Sequence, residues 1–426
     1  MIGRRTSNSL GMGVAALLAG ALTACSSGGS TSDSAASLNA ASAADAKGKV
    51  TVCGPTDASG VYGDTVAALN KTYPSLHVRY VPLGTAATDQ LQQITQRMQS
   101  KSTQCDIVRT DVIWTAQLAA QGYLANMTDL VGAVKGKLIA STAQTARYKG
   151  KYYAMPFYTN AHLMYYRTDK VKSAPKSWQD VRTTGEKSSA DRWLYQGLPG
   201  ETLTISFLDL LYSAGGQVTD AHNKVVVNSP KTVEVLKYMQ TGLDKGASPK
   251  SVLTYDEDAT RLAYEAGNGA YMTNYPYAYA AGQKSSNAGK FDIAPLPAFG
   301  RDGAGHGVLG GSNLAVSTYS KNKGGAVKVL QFMTSEKWQE RIAAKHALAP
   351  VAKAAYEAPS VTSALPFAPK LLTAVTAAKA RPVSPVYSRI STAISDQVTA
   401  VLSGKTSPAE AAKAMARNIE KAQETF

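Results

Sequence analysis

Three acidic side chains stand where chemistry could happen: Asp57 in PTDASG, Asp111 in DVIW and Glu201 in GETLT. Two carboxylates placed across one bond hydrolyse a glycoside, whereas the same groups alone accept pairs of hydroxyls. Each lies beside glycines or aromatic residues, as a hydroxyl acceptor would, which favours binding over hydrolysis. The stretch PFYTNAHLMYYR, from Pro156 to Arg167, adds Tyr158, the amide of Asn160 and the imidazole of His162 to what is otherwise an alternating strand. Tyrosine outnumbers phenylalanine 22 to 7, and a ring with a polar tip suits a cleft better than a core. Other chemistries find less support. GHGVLG has the glycine spacing of a dinucleotide site, but loop precedes it and the strand-like SNLAVS follows. The histidines, at 77, 162, 222, 306 and 346, lack ligand spacing, so neither a metal nor a cofactor is expected. Adjacent tyrosines at 152–153 and 165–166 offer phenolates for ferric iron, but neighbours on a strand face opposite sides.

The elements that must hold these groups follow from periodicity. KVTVCGP, LHVRYVPL and CDIVRTDVIW read as strands, separated by amphipathic helices over VYGDTVAALNKTYP and from about Thr88 to Ser102. That alternation predicts an α/β lobe with a largely parallel sheet, whose ligands lie outside the carboxyl ends of the strands. Those ends hold Pro55, Asp57, Thr110, Asp111 and Trp114. The middle of the chain is richer in helix, with a start at Ser229-Pro230. Near the end, Ser407, Pro408 and Glu410 spell a capping box. Cys53 and Cys105 each sit at an end of a first-lobe strand, and outside the cytoplasm such a pair is expected to be bridged.

The N-terminus reads as a processing signal. Arg4 and Arg5 precede a short apolar run closed by LTAC, so residues 1–24 are expected to be removed and Cys25 lipidated. Residues 25–48 form a polar tether, with folding expected from about Lys49, and nothing later is long and apolar enough to span a bilayer. The lipid would therefore anchor the protein on the extracytoplasmic face of the cell membrane. The formal charge of +15, or +13 once Arg4 and Arg5 leave, is diffuse and has no run of four basic residues, so no nucleic-acid partner is expected.

Five stretches, in order along the chain, carry a family resemblance: DVIWTAQLAAQGYL, YKGKYYAMPFYTNAHLMYYRTD, GNGAYMTNYPYAYA, GGSNLAVSTYSKNKGGAVKVLQFMTSEKWQ and RPVSPVYSRIS. Together the chain resembles the solute-binding proteins of ABC sugar importers, of the maltose-binding-protein type, and is most similar to trehalose- and maltose-binding lipoproteins. The resemblance implies a type II two-lobe α/β fold with three crossings, near Pro156, Phe291 and Lys323. Lobe 1 would then hold 49–157 and 292–323, and lobe 2 would hold 158–291 and 324–426. It implies no enzymatic activity, but a monomer that delivers a small sugar to ABC permease subunits. Asp57, Asp111, Tyr158, Asn160, Glu201, Tyr275, Gly310, Gly311 and Arg381 would line the cleft. Three departures bear on the choice of sugar: Asn160 replaces an acid common in relatives, Tyr275 a stacking tryptophan, and Ser312 a bulkier neighbour. Truncating Asp111 or Arg381 is expected to weaken binding with little effect on the unliganded melting temperature.

Overall fold

The apolar run Val50–Val52–Cys53 leaves β1 (Gly48–Pro55) no face to turn to water, and it lies inside the first lobe, buried on both sides. The computed structural model describes residues 36–56, 59–84, 87–300 and 305–425, without the side chain of Thr88. Cys25 and Asp57 lie outside the described residues. Parallel to β1 run β2 (Leu76–Leu83) and β3 (Ile107–Asp111). After a small hairpin of β4 (Arg147–Tyr148) and β5 (Lys151–Tyr152) comes β6 (Met155–Asn160), and the chain then passes to β7 (Leu163–Arg167). The second lobe's sheet holds β7, β8 (Trp193–Leu194), β9 (Tyr271–Asn274) and β10 (Phe291–Ala294), in the order β10-β7-β9-β8. The chain returns as β11 (Gly310–Val316) and closes the first sheet with β12 (Ala349–Pro350), in the order β12-β6-β11-β3-β1-β2. This sheet is mixed rather than largely parallel, because β6, β11 and β12 pair antiparallel to their neighbours.

The crossings fall later than the sequence suggests. PFYTN belongs to β6 and pairs with β11, so the first crossing is Ala161–His162 rather than Pro156. Phe291 starts β10 inside the second sheet, and the second crossing lies just before Gly310. The largest difference concerns Lys323. Helix Lys323–Met333 and helix Glu336–His346 bury Val327, Leu330, Met333, Trp338 and Ile342 with Val50, Ile107 and Leu314, so residues 324–350 belong to lobe 1. Their amphipathic pattern shows that they cover a sheet but not which one. The tether also ends early: Leu38 exchanges backbone hydrogen bonds with Asn126 and Leu130, and Ala43 is buried against the first lobe.

Local signals elsewhere hold. The C-terminal helix Pro408–Gln423 carries the Ser407–Glu410 capping box, and Ser229 caps helix Pro230–Asp244. With helix Glu201–Ser213 and helix Tyr387–Leu402 these elements cover the second lobe, around Phe207, Ile394 and Met415. In the first lobe a disulfide joins Cys53 of β1 to Cys105 just ahead of β3, with the Cα atoms 5.7 Å apart. Closing a 52-residue separation removes unfolded-chain entropy worth about 4 kcal/mol.

Asp64, on helix Val61–Thr72, holds helix Glu336–His346 to this lobe through Arg341 at 3.2 Å, Lys345 at 2.8 Å and His346 at 3.3 Å. The Arg341 hydrogen bonds, then those of Lys345, keep its carboxyl well below the usual aspartate range. A depressed folded-state pKa gives stability that is present above the unfolded value, about 4, and is lost as the pH falls toward the folded one. Urea midpoints should therefore drop between pH 5 and pH 3, and Asp64→Asn should flatten that drop. An equal drop in the variant would assign acid sensitivity to other carboxylates.

Candidate binding site between the lobes

Strand geometry gathers the first wall. Arg109 and Asp111 alternate along β3 and so share a face, and Ser312 of β11 pairs with both Asp111 and Tyr158. Asn160, two residues beyond Tyr158 on β6, lies on the same face in the next row, opposite Gly310. The glycines permit this approach. A Cβ on Gly310 would stand 2.0 Å from Oδ1 of Asn160; one on Gly311, at φ +121°, would stand 2.3 Å from the Tyr158 carbonyl oxygen. A bulge beside Ser312 leaves Phe157 out of register, and its carbonyl accepts from Nε2 of Gln339 at 2.8 Å. Gln339 also takes the backbone N–H of Val351, so one buried amide fixes the bulge and the strand end next to it.

Glu201 opens the second wall. It is the first residue of helix Glu201–Ser213, where a carboxylate meets the positive end of the helix dipole. Its Oε1 accepts from Arg381 at 2.6 Å and from the Tyr387 hydroxyl at 2.7 Å, and Ser391 donates to its Oε2. Tyr387 and Ser391 lie four apart on one face of helix Tyr387–Leu402, which is why both reach it. Arg381 has only 5% of its side chain exposed, yet also lies 3.6 Å from Asp111 and donates to the Leu309 carbonyl. Burial works against its charge, but Tyr387, Glu201 and Asp111 outweigh that and raise its pKa above the ordinary arginine value. Burial likewise pushes the Tyr275 and Tyr387 hydroxyls up, so both stay neutral donors.

Arg109 is treated the same way by the first wall. Its Nη2 donates to the Tyr158 hydroxyl at 2.9 Å, and Tyr158, Tyr62 and Asp111 more than offset its desolvation. Tyr275 follows β9 and rests on the His162 ring, centroids 4.3 Å apart. The paired tyrosines of β7 do not converge: Tyr165 donates to the Tyr275 carbonyl and Tyr166 to Asp292. Trp114 is buried behind Asp111, whose carbonyl accepts its N–H at 3.0 Å. A groove of about 1290 Å³ opens elsewhere between the lobes, lined by Arg147, Lys149, Tyr212, Gln217 and one side of Arg381. Neither Asp111 nor Glu201 lines it, so the groove does not coincide with the cluster of charged groups.

Of the expected residues, Asp111, Tyr158, Asn160, Gly310 and Gly311 thus come from lobe 1 and Glu201, Tyr275 and Arg381 from lobe 2. Sequence reading missed Arg109, whose two-residue spacing from Asp111 was the available signal, and Tyr387 and Ser391, which lie inside YSRIS.

Known proteins resemble this chain in sequence and fold. The model of the family described as bacterial extracellular solute-binding protein matches residues 55–340. A probable ABC transporter-binding protein of Deinococcus radiodurans is 35% identical over 341 residues, covering 75% of this chain and 80% of that one. Among solved structures, maltose-bound MalE3 of T. maritima superposes with a TM-score of 0.76 at 29% identity, over 88% of this chain and 99% of its own. The GacH receptor of Streptomyces glaucescens, solved unliganded and with acarbose, gives 0.77 at 26% identity, over 89% and 99%.

The paired burial of Arg381 revises one expectation. Removing Glu201 leaves a buried guanidinium with the more distant Asp111 as its remaining carboxylate, so stability should fall even without a ligand. Glu201→Ala should cost about 2–3 kcal/mol, less than a fully buried pair because a third of the Glu201 side chain is in water. Arg381→Ala should lower the unliganded melting temperature as well. Denaturant titration checks both, and unchanged midpoints would reduce the pair to a surface contact.

Proposed function

We propose that this chain, which belongs to the bacterial extracellular solute-binding protein family, clamps an uncharged α-linked disaccharide between its lobes for an ABC import permease. Trehalose is the first choice and maltose the second. The observation that carries this reading is Arg381 held between Asp111 of one lobe and Glu201 of the other. A guanidinium and carboxylates facing each other across a seam match hydroxyl pairs in two-pronged fashion, and Tyr275 and Tyr158 offer rings to C–H faces. Oδ1 of Asn160, Oγ of Ser312 and Nε of Arg381 are buried without a hydrogen-bond partner in the described protein. A polyhydroxyl solute supplies such partners; a hydrocarbon would not. The maltose named for MalE3 and the acarbose named for the GacH receptor are solutes of the same chemistry. Delivery would proceed from the membrane surface, with the protein tethered through lipidated Cys25.

Calorimetry with trehalose, maltose, sucrose and glucose should find one site per chain, and scattering a smaller radius of gyration with the bound sugar. Asp111→Asn, which keeps shape but removes charge, should weaken binding roughly tenfold. If no disaccharide binds, or if glucose is released from one, the reading fails. The anchor is tested separately: Cys25→Ala should no longer take up a fatty-acid label.

A further inference from the structure

His162 occupies the first crossing and is 2% exposed. Its Nδ1 lies 2.6 Å from Oδ2 of Asp209, which is buried midway along helix Glu201–Ser213. The other oxygen of Asp209 accepts the backbone N–H of Val308 at 2.7 Å, so one carboxylate ties both the first and the second crossing to this helix. An ionised carboxylate only accepts, so Nδ1 carries the hydrogen, and in the neutral form of the ring that leaves Nε2 as an acceptor. Nε2 is buried and has no hydrogen-bond partner in the described protein. Leaving such an atom unmet is unfavourable, and an apolar ring would fill the same space without that cost. The neighbours are those of the solute site: Tyr275 packs against the ring, and Asn160, two residues earlier, has its own unmet Oδ1.

We propose that His162 is a solute-contacting, specificity-determining residue, its Nε2 accepting one sugar hydroxyl while Asp209 fixes the tautomer that makes it an acceptor. This rests on the sugar-binding reading above. Because Nε2 can only accept, the hydroxyl it meets must donate. A solute lacking that one hydroxyl, or carrying fluorine in its place, leaves Nε2 unmet, so selection at that position is sharper than elsewhere.

The test is a cycle between protein and ligand. Calorimetry compares the parent protein, His162→Phe and His162→Gln with trehalose and maltose and with the monodeoxy and monofluoro analogues of each. One position should cost the parent about fivefold in affinity, and that same position should cost His162→Phe nothing further. The amide of His162→Gln should restore part of the discrimination. In the parent, the ¹⁵N resonance of His162 Nε2 should shift when the sugar is added and shift less with the analogue. Discrimination that is the same at every position in parent and variants, or an Nε2 resonance that ignores the sugar, overturns the proposal. A parent that binds no sugar overturns the wider reading first, which the same titration reports separately.

Discussion

The charged groups along the seam between the lobes are arranged around one buried cation, and how it is neutralised constrains them. Arg381 gives up nearly all its hydration, and a guanidinium so placed requires carboxylates in contact with it. The two it finds are not equivalent. Glu201 is at 2.6 Å and is itself fixed by Tyr387 and Ser391, all from the second lobe. Asp111 is at 3.6 Å and comes from the first. Arg381 therefore belongs to the second lobe as a rigid group, and the Asp111 contact is the one that relative movement of the lobes gives up first. Its backbone is placed by the same seam: Lys379, two residues earlier, exchanges hydrogen bonds with Gly307 and Leu309 beside the second crossing.

The first lobe meets this cation with a surface that ordinary sheet geometry would not provide. β6 must come close enough to β11 to set Asn160 beside Gly310, which only residues without a Cβ allow. It must also slip register next to Ser312, and the carbonyl freed at Phe157 would be a buried orphan without Gln339. Gln339 can reach it only because helix Glu336–His346 packs on the first lobe, where Asp64 holds its far end. The site row thus depends on a helix that contributes no side chain to it.

This dependence explains what could be read from the sequence. Strands such as β1 and β3 and the Ser407 cap are local statements, written in alternation and in residues three apart, and they are legible. Asp111 and Glu201 stand out as carboxylates beside glycines or aromatic residues, and Arg381 only through the resemblance carried by RPVSPVYSRIS. The crossing positions do not, since PFYTN alternates too irregularly to reveal a strand that pairs with β11 across a bulge. Helices 323–333 and 336–346 were assigned to the wrong lobe because their apolar stripes are matched by partners that lie hundreds of residues away, such as Val50 and Ile107. The His162–Asp209 couple is hidden for the same reason, its two members 47 residues apart with no shared motif.

The charge balance of the site follows from these placements and narrows what suits it. Arg109 and Arg381 are cations that burial alone would discourage, and their neighbours keep them charged. Asp111 and Glu201 answer them, two charges against two, all within reach of the seam. Tyr275 and Tyr387 add no charge because burial keeps their hydroxyls protonated. An acid at position 160 would make the wall around Arg109 net negative; with Asn160 it is balanced. An anionic solute would have to displace a carboxylate from Arg381, and a cationic one would compete with the guanidinium for the same oxygens. The second exchange strips the buried Arg381 of its partner, and the first leaves a partly exposed carboxylate facing the anion. A neutral polyol needs neither exchange, because it inserts donors and acceptors between groups that are already compensated. On the proposed reading, compensation of the buried charges comes before the recognition of any particular hydroxyl.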